Sequence, residues 1–369
     1  MAKLKVLSVF GTRPEAIKMA PVIKELEKYP ERVESVVCVT AQHRDMLDQV
    51  LDIFKIHPKY DLDIMKKNQT LSMVTNSVLN ELGKVLDAEK PDVVLVHGDT
   101  TTTLATALTA FYRQVKIGHV EAGLRTYDKY SPFPEEINRE FVGLVADYNF
   151  APTRTAADNL LNEKKRPETI FVTGNTAIDA LKTTTSNNYH NEILDSVGDD
   201  RMILVTVHRR ESLGKPMKNI FRAIKRIADD FSDVKVVYPV HSNPKVRDLA
   251  NEIFENDDNI KLIEPLDVVD FHNFMKKAYL VMTDSGGIQE EAPSLGKPVL
   301  VLREKTERPE GIEAGTLKLV GTKEERIYNE TSKLLADKKM YKKMSETKNP
   351  YGDGMAAKRI VEILLNSCA

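Results

Sequence analysis

The sequence is poor in cysteine, has no long apolar run and carries no excess of either charge, and each shortage removes a class of protein. Two cysteines, Cys38 and Cys368, stand near opposite ends of 369 residues and form no CxxC pair. Neither a disulfide framework nor a thiolate zinc site is supported, and a reducing compartment fits. Lys and Arg total 53 against 55 Asp and Glu, a formal charge of -2. No global basic field draws such a chain to nucleic acid or anionic lipid, so any anionic ligand must be held by local groups. No apolar run approaches the roughly 18 residues that a membrane-spanning helix needs. The amino terminus passes from Lys3 and Lys5 straight into a strand-like run without a cleavable signal pattern, and the expected location is cytoplasmic. GxGxxG after the first strand, the phosphate-loop pattern ending in GKS or GKT, and HExxH are also missing. Bound NAD, P-loop ATP hydrolysis and a zincin site lose support, and neither a cofactor nor a metal is called for.

What is present is the mix of a soluble globular protein, 41% hydrophobic and 29% charged. At roughly 100 to 200 residues per domain the length predicts two domains with a binding cleft between them. Short β-branched runs at 5–10, 35–39, 92–97, 116–120, 148–151 and 169–172 alternate with stretches of helical apolar spacing at 17–29, 71–86, 102–112 and 135–146. That alternation predicts an α/β fold of parallel sheets covered by helices. The chain turns polar over 181–201, which suits an interdomain connection. The pattern restarts with strands at 202–207, 235–240, 261–263, 280–283 and 299–302. Two doubly wound domains are expected, 1–181 and 182–352, with a final helix in 353–369 long enough to cross back to the first. Ligands of such sheets collect beyond the carboxyl ends of the strands.

After the first strand comes Gly11-Thr12-Arg13-Pro14-Glu15, where Pro14 suits the first helical position. Because Arg13 precedes a proline it is biased to extended geometry. A helix amino terminus beside an Arg is a ready phosphate site, and an ordinary strand-to-helix turn is the alternative. His97, His119, His208 and His241 each fall at a strand end; His208 is followed by Arg209 and Arg210, a cationic cluster apt for a diphosphate. Asp99 and Glu121 follow His97 and His119, and Glu135 and Glu136 open a helix. Either of the last two could simply favour the helix dipole. Three acidic sites converging from separate loops would repel one another unless cations or proton transfer justify them, so they point to acid/base chemistry. Further on, Asp284-Ser285-Gly286-Gly287 leads into a helix carrying Glu291. The paired glycines let backbone N–H groups approach phosphate oxygens, and Glu291 suits two ribose hydroxyls. A plain helix start with acidic residues is the alternative.

The segments GTRPEAIK (11–18), HGDTTTT (97–103), HVEAGLRT (119–126), SPFPEEINR (131–139), TGNTAID (173–179), VTVHRRES (205–212), TDSGGIQEEAPSLGKPVLVLR (283–303) and TERPEGIEAGT (306–316) together span nearly the whole chain. In that order they closely resemble the non-hydrolysing UDP-N-acetylglucosamine 2-epimerases. The resemblance implies a GT-B-like pair of Rossmann-type domains with the active site in the interdomain cleft, a homodimer, and reversible conversion of UDP-GlcNAc to UDP-ManNAc for cell-envelope polysaccharide synthesis. It implies Asp99, Glu121, Glu135 and His208 as catalytic residues. Arg13, Lys18, Ser285, Gly286, Gly287 and Arg308 fall on the diphosphate, Glu291 on the ribose and Phe271 on the uracil side. It further implies activation by UDP-GlcNAc at a neighbouring regulatory site, matched here by Gln42, Gln69, Arg209 and His241.

C2–H of an N-acetylhexosamine is not alpha to a carbonyl, so a carboxylate could hardly remove it directly at neutral pH. If the C1–O bond to UDP breaks first, positive charge at C1 acidifies that proton, and elimination to 2-acetamidoglucal plus UDP followed by re-addition becomes the natural path. The rivals are a GT-B glycosyltransferase, a hydrolysing 2-epimerase, a non-catalytic nucleotide-sugar sensor, and a metal-dependent hydrolase using His97, Asp99 and His119.

Overall fold

The computed structural model describes residues 3–40, 44–64, 66, 69–255 and 257–367. Gln42 and Cys368 lie outside them. The chain up to Lys182, with the stretch from Tyr351 onward, forms one compact unit, and Thr183–Pro350 forms a second. In the first unit β1 (Leu4–Phe10), β2 (Val33–Val39), β3 (Tyr60–Asp61), β4 (Val93–His97), β5 (Lys116–Val120), β6 (Tyr148–Ala151) and β7 (Ile170–Val172) make one sheet in the order β3-β2-β1-β4-β5-β6-β7. In the second, β8 (Arg201–Thr206), β9 (Val234–Pro239), β10 (Ile260–Ile263), β11 (Leu280–Thr283), β12 (Val299–Val301) and β13 (Leu317–Leu319) pair in the order β10-β9-β8-β11-β12-β13. Every pairing is parallel.

Strands covered on both faces read as continuous apolar runs, and Val93–His97 is buried throughout. Helix Leu71–Glu89 sets Val78, Leu82 and Leu86 against Leu7, Val9, Val94 and Val96. In the second unit, helix Lys215–Asp230 buries Met217, Ile220, Phe221, Ile224, Ile227 and Ala228, one face at three- and four-residue spacing, against Ile203 and Val205. Each such large side chain contributes about 1.5–3 kcal/mol of transfer free energy. The strand order reverses direction between β1 and β4 and again between β8 and β11, so each sheet has a crevice at its switch point where successive connections part to opposite faces.

Two local expectations are corrected. The first helix runs Arg13–Leu26 rather than starting at residue 17, so Arg13 is helical and not extended. Thr12 is the N-cap and Glu15 at the third helical position accepts the Thr12 N–H, which fixes the helix start one residue before the proline; Pro14 there forfeits no intrahelical bond. The polar segment after residue 181 is also more structured than a plain connection. It contains helix Glu192–Val197, and the Ser186 N–H donates to Asn273 Oδ1 at 2.8 Å while Asn273 Nδ2 donates to the Thr184 carbonyl at 2.9 Å. Helix Ala356–Ser367 packs on helix Arg13–Leu26 within the first unit. Among the described residues no helix is long and apolar enough to cross a membrane.

Candidate active site

Glu15, itself buried, stitches together the two loops at the first switch point. Oε2 accepts the Gly11 and Thr12 N–H groups at 3.0 and 2.8 Å, in the loop after β1, and Oε1 accepts the Thr100 hydroxyl at 2.7 Å, in the loop after β4. Thr100 in turn caps helix Thr101–Tyr112, its hydroxyl oxygen accepting the Thr103 N–H at 3.1 Å. The turn between β4 and that helix needs a left-handed residue, and Gly98 supplies it at φ 65°.

Held on these loops is a group of opposed charges. Arg139 Nη2 reaches Asp99 Oδ2 at 2.6 Å, and Asn138 Nδ2 donates to the Asp99 carbonyl at 2.8 Å. Burial raises the Asp99 pKa; Arg139 opposes the rise, the Glu121 and Glu135 carboxylates add to it, and Lys18 again opposes. Glu121, next after β5, takes an ion pair from Lys18 and a hydrogen bond from Asn175 Nδ2 at 3.0 Å. Its backbone sits at φ 65°, a conformation that costs a side-chain-bearing residue free energy and clusters at functional sites. His97 Nε2 is 3.7 Å from Glu121 Oε2, and burial holds the His97 pKa down at about 3, so the ring is neutral. His119 is likewise kept neutral by burial, its pKa lowered to about 4, and it pairs through Nε2 with the Gly98 carbonyl at 2.7 Å. A neutral ring facing a carbonyl must carry its proton on that nitrogen.

Asp284 does in the second unit what Glu15 does in the first. Fully buried, its Oδ2 accepts the His208 and Arg209 N–H groups at 2.9 and 2.8 Å, tying the loop after β11 to the loop after β8. Burial lowers the pKa of His208, with Asp284 opposing and His241 and Arg209 adding to the fall. The His208 ring stacks on His241 with centroids 5.4 Å apart and planes 8° from parallel. Ser285 precedes the short helix Gly286–Glu291. Arg308, ion-paired with Glu290, lies over Gly286: a β-carbon built there would meet its Nη2 at 3.7 Å. Glu291 Oε2 stands 3.4 Å from His272 Nε2, beside the edge-on pair of Phe271 and His272.

Of the residues singled out in the sequence, Lys18, Asp99, Glu121 and Glu135 are gathered into one electrostatic group in the first unit. Arg13 opens the helix that carries Lys18. His208, Arg209 and His241 cluster in the second unit, where Arg308 covers Gly286 and Glu291 adjoins Gly287 and His272. Gln69 donates its amide to the Ile64 carbonyl. Four residues with organising contacts were missed. Glu15 had a readable signal, the acidic third residue of a Thr-capped helix, and Asp284 directly follows a strand. Arg139 and Asn175 had none, because their partners lie 40 and 54 positions away. Glu136, for which a helix-dipole role is one of two readings, lies in the first helical turn and also accepts the Thr126 and Tyr127 N–H groups at 2.9 and 2.8 Å. Among the described residues no group of three or more His, Cys, Asp or Glu side chains is arranged to hold a metal ion.

Two doubly wound parallel sheets, one lined at its switch point with acid/base groups and the other with cationic and glycine-loop groups, define a GT-B-like α/β enzyme. The profile of the UDP-N-acetylglucosamine 2-epimerase family matches residues 24–365. The chain belongs to that family. A UDP-N-acetylglucosamine 2-epimerase of Bacillus subtilis is 63% identical over 365 residues, covering 99% of this chain and 96% of the relative. A crystal structure from Listeria monocytogenes superposes with a TM-score of 0.96 at 58% identity, over 100% of this chain and 97% of the other. A UDP-GlcNAc 2-epimerase from Neisseria meningitidis, solved bound to UDP-GlcNAc, has a TM-score of 0.89 at 48% identity and covers 98% of this chain and 100% of its own.

Proposed function

We propose that this protein interconverts UDP-GlcNAc and UDP-ManNAc by inverting C2, without hydrolysis and without an acceptor. The observation that carries this reading is the end-to-end match to the Bacillus subtilis epimerase, 63% identical over 99% of the chain. The paired carboxylates of the first unit supply chemistry that suits it. In the first step the C1–O bond breaks and its electron pair leaves with UDP. A carboxylate takes the C2 proton, and the C–H electrons become the C1–C2 double bond of 2-acetamidoglucal. In the second step a proton reaches C2 from the opposite face and a β-phosphate oxygen of UDP rebonds to C1, so atoms and charge are restored.

The roles are assigned to this chain's residues as follows. Arg13, Lys18, His208, Arg308 and the amides of Ser285, Gly286 and Gly287 receive the diphosphate, whose growing charge such fixed donors stabilise by several powers of ten in rate. Glu291 takes the ribose and Phe271 the uracil side. Glu121 acts as base and Asp99 as acid on opposite faces, and Glu135 supports the cationic C1. The raised Asp99 pKa favours its protonated form, as an acid requires, and the Lys18 ion pair favours ionised Glu121.

UDP-GlcNAc also acts as an activator through Gln42, Gln69, Arg209 and His241; the stacking of His241 on His208 supports a link between that set and the diphosphate. A homodimer accounts for the exposed Phe111 and Tyr112 of helix Thr101–Tyr112 and Phe141 and Leu144 of helix Glu135–Val145, which pack side by side. The protein works in the cytoplasm, feeding cell-envelope polysaccharide synthesis. Proton NMR of UDP-GlcNAc with the purified protein in D₂O tests the activity: UDP-ManNAc grows in, both sugars gain deuterium at C2, and no free sugar appears. Release of N-acetylmannosamine, or no change without an acceptor, overturns it.

A further inference from the structure

We propose that Asn175 is the positioning residue for Glu121, a role that rests on the reading of Glu121 as a proton-transfer group. The two halves of its side-chain amide do different work. Nδ2 donates to Glu121 Oε2 at 3.0 Å, while Oδ1 accepts the Ala177 N–H at 2.9 Å and so caps helix Thr176–Thr184. These partners leave no ambiguity about which way the amide faces, because a carboxylate only accepts and a backbone N–H only donates. The backbone of Asn175 is fixed as well: its N–H donates to the Tyr351 carbonyl at 2.8 Å, and a β-carbon built on Gly352 would meet the Asn175 nitrogen at 3.4 Å. The residue is therefore anchored by the helix it caps and by the returning chain at Tyr351, and it is buried.

Glu121 is surrounded by Lys18 from helix Arg13–Leu26, His97 from β4, Asp99 beyond β4, His119 from β5 and Asn175 beyond β7. Lys18 and Asn175 meet the same oxygen and are not equivalent. An ammonium on a four-carbon stem supplies charge but little direction, and Lys18 also belongs to the residues assigned to the diphosphate. The amide of Asn175, held by the Ala177 N–H on a backbone itself bonded to Tyr351, fixes where the carboxylate points and favours its ionised form by donating to it. Both effects bear on a group that must meet one face of the sugar at C2.

The chemistry of the amide supplies the test. Asn175→Asp keeps an oxygen for the Ala177 N–H and replaces the donor facing Glu121 with a second acid. Asn175→Ser keeps a helix cap without the reach or the added charge. The expected result for Asn175→Asp is a kcat lower by about 100-fold, a KM for UDP-GlcNAc within about 3-fold of the parent, and an acidic limb of the pH–rate profile moved up by about one unit. Asn175→Ser moves the same limb in the same direction by less. Wild-type kcat and limb in either folded variant overturn the proposal, as does a loss confined to KM. Glu121→Gln run in parallel separates the two ideas. Turnover surviving in Glu121→Gln defeats the catalytic reading of Glu121, whereas its loss beside a wild-type profile for the Asn175 variants defeats only the positioning role.

Discussion

The two units solve the same problem with one device and then diverge. At each switch point a buried acid joins the loops that flank it: Glu15 bonds the loop after β1 to the loop after β4, and Asp284 bonds the loop after β11 to the loop after β8. Beyond the stitch the first unit adds more acids, Asp99 and Glu121, each facing a side-chain cation. The second adds histidines and arginines instead, with the Arg308 guanidinium over Gly286. What separates a scaffolding acid from a reactive one is the nature of its partners. Glu15, Glu136 and Asp284 each commit one carboxylate oxygen to two backbone N–H groups and so hold loops, while the other oxygen faces side chains. Asp99 and Glu121 meet Arg139, Lys18 and Asn175, and such contacts set charge and aim without fixing the chain.

The contrast is easiest to break by removing one acid of each kind. Asp99→Asn and Glu121→Gln are expected to lose turnover by about 10²- to 10⁴-fold while UDP affinity, read by calorimetry, stays near the parent value. Asp284→Ala should do the reverse in kind. It strands two part-buried N–H donors, so stability falls by about 1–3 kcal/mol in urea unfolding and UDP affinity falls with it. An Asp284 variant of parental stability, or a Glu121 variant that binds UDP as poorly as it turns over, would erase the distinction.

A smaller effect sharpens it. His97 and His119, behind the acids of the first unit, keep pKa values of about 3 and 4 when folded, against 6.5 for a free histidine. Above pH 6.5 neither state binds the extra proton. As pH falls below it, the unfolded chain takes up protons that the folded one refuses, so stability drops by about 1.4 kcal/mol per histidine per pH unit down to the folded values. Asp99 acts in the opposite sense: with its pKa raised, its contribution is complete below the unfolded carboxylate value and is lost as pH rises through the folded one. Urea unfolding between pH 7 and pH 5 should show the histidine loss, and His97→Gln should flatten it by about half. An unchanged slope in that variant places the acid sensitivity elsewhere.

The fold class was legible because strands covered on both faces, such as Val93–His97, leave uninterrupted apolar runs, and the helix Lys215–Asp230 repeats at its own period. Strand β3 was not, since two residues carry no pattern, and β13, with Lys318 at its centre, lacks the uninterrupted apolar run that marks β12. Apolar spacing alone places the first helix from residue 17 and the proline rule makes Arg13 extended; the Thr12 cap with Glu15 overrides both and starts the helix at Arg13. At the site, the acids and the glycine loop stand out because strand ends expose them to ligands. Their supports do not. Arg139 reaches Asp99 and Asn175 reaches Glu121 only after the sheet has brought distant segments together, and no local spacing encodes such a meeting.

Cleavage between C1 and the bridging oxygen, ahead of inversion, is the step on which the roles of both units depend. It is tested by placing ¹⁸O in that bridge of UDP-GlcNAc and following the β-phosphorus by ³¹P NMR during turnover. The label is predicted to spread into the non-bridging positions as UDP is freed, turns and rebonds. A label that stays in the bridge while C2 inverts would contradict it.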